Sequence, residues 1–119
     1  MNKVVDFFLH YQNQFKMLHW QTKSYARHQA FGGFYDSLSD AMDEFIEVHM
    51  GKYGRVVTDG SIPVHNLNQV NVNDVVENFE MFLISLTNHY DADKDSDLLN
   101  IRDGILGDLN KLKYLLTLE

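Results

Sequence analysis

Four stretches of this chain repeat apolar residues at intervals of three and four, and one long stretch does not. Val4, Phe8, Tyr11, Phe15, Leu18 and Thr22 fall on one side of a helix drawn through residues 3 to 22. Phe31, Phe34, Leu38, Met42, Phe45 and Val48 or His49 form a second stripe, and Asp36, Asp40, Asp43 and Glu47 descend the face beside it. A third stripe runs from Val75 or Val76 through Phe79, Phe82, Leu83 and Leu86 to Tyr90, and a fourth through Leu98, Ile101, Ile105, Leu109, Leu112 and Leu116. The punctuation agrees with this division. Ser24 and Asn73 are expected to cap the second and third helices, because a short polar side chain can accept from a free amide of the first turn. Gly51 weakens the end of the second helix and Gly54 offers a left-handed cap.

The stretch without period is residues 55–72, RVVTDGSIPVHNLNQVNV, which carries the turn pairs Asp59-Gly60 and Ile62-Pro63. A hairpin between neighbouring helices needs only a few residues, so this length predicts a crossover, as in an up-up-down-down or ferritin-like bundle. The expected fold is therefore a single all-α domain over residues 1–119, a four-helix bundle with one long crossover between helices two and three. Two features disturb the regularity. Gly32 and Gly33 sit inside the second helix, where each costs about 1 kcal/mol relative to alanine, so a close neighbour or a kink is expected there. The run Asp91, Asp93, Asp95 and Asp97 imitates the start of a calcium loop, but Ser96 and Arg102 stand where such a loop needs glycine and glutamate. It reads instead as a turn whose acids sit at the start of the fourth helix.

Composition changes the picture mainly by exclusion. Of 119 residues, 45% are hydrophobic and 23% charged, as in an ordinary globular domain. Absence of cysteine removes disulfides, thiolate metal sites and cysteine nucleophiles together. No apolar run approaches the roughly 18 residues of a membrane span, and the first residues do not form a signal peptide, so no membrane partner and a cytoplasmic location are expected. With 17 acids against 10 bases and a net charge of −7, direct nucleic-acid binding is not expected either. There is no phosphate loop, nucleophile elbow or basic-aromatic stripe.

The candidate chemistry lies between Leu18 and Glu47. His19 and His28 flank the break near Lys23 and Ser24, so an antiparallel helix pair puts both rings at one level. Asp43 and Glu47 are four apart, close enough on a helix for both carboxylates to reach one iron or manganese ion. His28 and Asp43, however, are separated by about 22 Å along a single helix. A two-fold dimer with this helix packed antiparallel would set the histidines of one subunit against the carboxylates of the other. Each residue also has an ordinary reading, as a hydrogen-bonded core histidine, a packed indole or a solvated acidic face.

The order His19-Trp20, short loop, His28, then Asp43 and Glu47 resembles the Dps-type mini-ferritins. That resemblance implies a ferroxidase centre between subunits, with His19, His28, Asp43 and Glu47 as metal ligands. It implies Trp20 as the neighbouring indole able to supply electrons, and iron (Fe2+/Fe3+) as the cofactor, other divalent metals being alternatives. The chain would bind ferrous iron, oxidise it and store or detoxify the product, as a homodimer at least or a higher homo-oligomer. Three departures stand out: the loop between the histidines is short, Gly32 replaces an expected acid, and a lysine-rich terminal arm is absent. Asp36 could replace that acid only through a water. No histidine has glutamate three residues before it, which separates the chain from full ferritins and di-iron oxygenases. The competing expectation is a non-catalytic structural or adaptor bundle, or one with a structural metal.

Overall fold

Each apolar stripe carries a helix in the computed structural model, which describes residues 3–118, although the third helix stops at Ser85 and leaves Leu86 and Tyr90 of its stripe beyond its end. The helices are α1 (Lys3–Gln21), α2 (Tyr25–Tyr53), α3 (Val72–Ser85) and α4 (Ser96–Leu115), with short 3₁₀ turns at Leu67–Gln69 and Leu86–Asn88. Among the described residues there is no strand, so the all-helical expectation holds. Burial follows the stripes. Phe8, Phe15, Phe31, Phe45 and Phe79 are completely enclosed, and Phe15 sits between rings from two other helices, 4.8 Å from Phe34 and 5.8 Å from Phe79.

Side-chain pairs give the helix directions. Phe8 meets Phe45 while His19 meets His28, so α1 and α2 are antiparallel. Lys52 pairs with Asp97 while Arg27 donates to the Leu116 carbonyl, so α2 and α4 are antiparallel. Phe7 packs on Phe82 and Tyr11 on Phe79, which makes α3 antiparallel to α1. The segment joining α2 to α3 is tied to α1 in sequence order: Thr58 donates to Asp6, Pro63 accepts from His10, and the His65 backbone exchanges two hydrogen bonds with Gln14. Gln21 then bonds Asn66 and Leu67. His10 and Gln14, unremarkable in the sequence, fasten this segment.

The helix ends follow local chemistry, with one shift from expectation. Ser24 accepts from the Arg27 amide as expected. The cap of α3 is Asn71, two residues before the expected Asn73, because its side chain accepts from Asp74 and Asn73 already lies in the first turn. Gly54 ends α2 at φ +92°, a conformation that disfavours a side chain. Arg102 is buried and donates to the Leu83 carbonyl and Thr87 hydroxyl, pinning α4 to the end of α3. No helix among the described residues is long and apolar enough to cross a membrane.

Candidate functional site

The end of α1 and the start of α2 are joined by three residues, and this tight return stacks two imidazoles. The rings of His19 and His28 are 3.9 Å apart between centroids and 17° from parallel. His19 Nδ1 donates to the His28 carbonyl at 2.6 Å, and His28 Nδ1 donates to the His19 carbonyl at 2.8 Å. A carbonyl can only accept, so both Nδ1 atoms carry the proton. In the neutral rings both Nε2 atoms then hold a lone pair. This is the tautomer a histidine adopts when Nε2 ligates a metal, with the other nitrogen anchored to the backbone.

Gly32 is explained by the same rings. A Cβ built there would lie 2.8 Å from His19 Cε1 and 2.9 Å from His19 Nδ1, closer than real contacts allow. The expected close neighbour is thus a side chain of the same chain, and an acid at this position would expel it. Gly33 has no such neighbour, and its place in the helix has no packing explanation.

The carboxylates are elsewhere. Asp43 and Glu47 are exposed, 15 and 19 residues beyond His28 on one continuous helix. The axial separation from His28 is about 22 Å for Asp43, so one chain does not unite the four residues. Among the described residues no group of three or more His, Cys, Asp or Glu is placed to hold a metal ion. Trp20 is 64% exposed, and Lys16 extends its ammonium over it at 5.4 Å and over Tyr35 at 4.3 Å.

A second polar cluster, at the far end of α2, went unread in the sequence. His49 is 95% buried and its Nδ1 lies 2.9 Å from the Tyr90 hydroxyl. Asp95 is also buried: it accepts from Tyr53 at 2.6 Å and from the Asp91 amide at 2.9 Å, with the Lys52 ammonium at 3.4 Å. The Tyr53 hydrogen bond, with the Asp91 amide and the Lys52 ammonium, holds the Asp95 carboxyl below its usual range. Burial lowers His49 and raises Tyr90. The acidic run is the turn expected of it, folded by Asp91, which accepts from the amides of Asp93 and Lys94. What the spacing hid was that Asp95 turns inward toward α2. A tyrosine one helical turn after a histidine, Tyr53 after His49, was the available signal.

Residues 19–116 match the model of a family described as a family of unknown function (DUF5856), and the chain belongs to that family. It is also 31% identical over 108 residues to an uncharacterized 14.6 kDa protein of the mobD-ri intergenic region of Enterobacteria phage T4, covering 91% of this chain and 80% of that one. No solved structure matches. These findings overturn the resemblance to Dps-type mini-ferritins: the family matched across the His-Trp to Asp-x-x-x-Glu stretch is a different one, and iron-storage and ferroxidase descriptions do not follow from membership. The short loop and Gly32 agree with that correction, since both serve the local packing of His19.

Proposed function

We propose that this protein is a divalent-metal-binding helical bundle whose site is completed by a second copy of the chain. The single observation behind this reading is the reciprocal clasp of His19 and His28. It spends both Nδ1 protons on backbone carbonyls and leaves two Nε2 lone pairs at the end of the hairpin. Imidazole nitrogens suit zinc, copper, nickel and iron, and two carboxylates would supply the compensating charge.

Symmetry supplies a route to those carboxylates. At 100° per residue, Asp43 lies about 60° around the axis from His28, on the same broad side of α2. Packing α2 antiparallel to its copy about a two-fold axis brings His19 and His28 of one protomer level with Asp43 and Glu47 of the other, twice per dimer. Exposed Trp20, beside His19 in sequence, favours a covered surface there, since indoles are enriched at interfaces. In this reading Trp20 belongs to the dimer contact and lies next to the metal. The finer statement about the fold, one long crossover between α2 and α3 in ferritin-like order, is supported by the ordered bonds from residues 58–67 to α1. Such an order is shared by proteins of unrelated function.

Cobalt titration with visible spectroscopy tests the site, followed by zinc and by ferrous iron under anaerobic conditions. Binding of one metal per chain, lost in both His28→Ala and the Asp43→Ala/Glu47→Ala double variant while helical circular dichroism persists, is expected. Unchanged stoichiometry in the carboxylate variant would remove the intersubunit site. Mixed dimers decide the geometry: a protomer lacking both histidines, paired with one lacking both carboxylates, should keep one site of two. If ferrous iron is the metal bound, adding peroxide then asks whether the site oxidises it. Absence of binding by any of these metals would leave the adaptor reading.

A further inference from the structure

The opposite end of α2 carries a cavity of about 360 Å³ between the end of that helix and the turn leading into α4. Its walls include His49, Tyr53, Arg55, Tyr90 and Lys94. The polarity of this cavity follows from where the protons are.

Tyr90 is buried and its hydroxyl has one partner, His49 Nδ1. A phenol O–H is a stronger donor than a neutral imidazole N–H, and an imidazole nitrogen is a stronger acceptor than a phenol oxygen. Tyr90 therefore donates to Nδ1, and burial, by raising its pKa, keeps that proton in place. His49 must then carry its remaining ring proton on Nε2. No buried side-chain nitrogen or oxygen among the described residues lacks a partner, and Nε2 makes no hydrogen bond. It is therefore reached by solvent, through the cavity that His49 lines.

The charges around that donor are unequal in availability. Both Asp95 oxygens are engaged, by Tyr53 and Lys52 on one side and the Asp91 amide on the other. Asp91, also on the cavity wall, gives Oδ1 to two amides of its own turn and leaves Oδ2 without a protein partner among the described residues. Neither Arg55 nor the Lys94 ammonium makes an ion pair or a side-chain hydrogen bond among the described residues. Arg55 follows Gly54, whose positive φ turns the chain at the end of α2, and Arg55 lines the cavity.

We infer that this cavity binds a small molecule bearing a phosphate or carboxylate group, held by His49 Nε2–H, the Arg55 guanidinium and the Lys94 ammonium, with Tyr53 and Tyr90 as an aromatic wall. All three of these groups donate, and with Lys52 paired to Asp95 and Asp97 the two unpaired cations Arg55 and Lys94 outweigh the single Asp91 carboxylate on the cavity wall. Arg55 adds a planar fork suited to either oxyanion. The two tyrosine rings, 6.4 Å apart between centroids, favour a ligand that carries a flat ring beside its charge.

The test is a two-dimensional amide NMR titration of the whole protein with phenyl phosphate, benzoate and, as the cationic control, benzylammonium. Phenyl phosphate or benzoate should move the Gly54, Arg55 and Lys94 amides saturably, with Kd on the order of millimolar for ligands this small. Comparing the two anions shows whether phosphate or carboxylate is preferred. Arg55→Gln with Lys94→Gln should weaken binding about tenfold or more, and both positions are exposed, so the fold should not suffer. His49→Phe keeps a ring in place and should weaken binding also. Benzylammonium binding as well as the anions, absence of saturation with either anion, or indifference to the Arg55/Lys94 substitutions would each overturn the inference.

Discussion

The two ends of α2 each hold a histidine tied through Nδ1, yet they present opposite chemistry. At the N-terminal end, the partners of His19 and His28 are backbone carbonyls, which force the proton onto Nδ1 and expose lone pairs. At the C-terminal end, some 31 Å away at 1.5 Å per residue, the partner of His49 is a tyrosine hydroxyl. It donates, so Nδ1 accepts and Nε2 carries the exposed proton. The neighbours reinforce the contrast: Arg55 and Lys94 have no ion-pair partner among the described residues, whereas no third ligating side chain of the same protomer joins His19 and His28 there. Imidazole chemistry is set less by the residue than by whether its fixed partner is an acceptor or a donor.

The largest expected effect separates the ends outright. His19→Ala with His28→Ala should abolish cobalt binding while leaving phenyl phosphate affinity at the other end within twofold, because sites this far apart are energetically independent within about 0.5 kcal/mol. Loss of both together in a folded protein would show that the ends are coupled. Gly32→Ala comes next. Its methyl must displace the His19 ring and break the 2.6 Å bond to His28, so metal affinity should fall by about 10- to 100-fold even though alanine favours the helix by about 1 kcal/mol. Unchanged affinity would mean that the clasp does not orient the ligands.

Tyr90→Phe sharpens the contrast from the other side. It removes the donor to His49 Nδ1 and should cost about 1 kcal/mol of stability by denaturant unfolding. Phenyl phosphate binding should weaken with it, because Nε2–H is no longer enforced. The smallest effect is a pH slope. Burial depresses the His49 pKa below its ordinary 6.5, so the unfolded chain takes up that proton first. This contribution to stability is complete above pH 6.5 and is lost as pH falls below it. His49→Phe should flatten that part of the urea midpoint curve. Asp95 acts in a separate window: its depressed pKa gives stability that is present above 3.8 and lost as pH falls further, and this part should survive in the His49 variant.

The sequence by itself determined the four helices, because apolar spacing of three and four is a local property and each stripe is the buried one in the fold. It also placed His19 and His28 at one level, since a short break between two helices leaves little choice of register. Helix caps were legible to within two residues, Asn71 serving where Asn73 was expected, because either asparagine can accept from a nearby amide. The Dps-type resemblance failed for a physical reason: histidine and carboxylate spacing on one helix states which residues could meet across a dimer, not that they do. Only the tertiary structure decided the tautomers, since Nδ1 partners come from carbonyls and hydroxyls across helix junctions. It alone showed that Gly32 makes room for His19 and that Asp95 turns inward to Tyr53. These contacts join residues 13 and 42 positions apart, and no periodicity along a chain records what a side chain meets after the helices have packed.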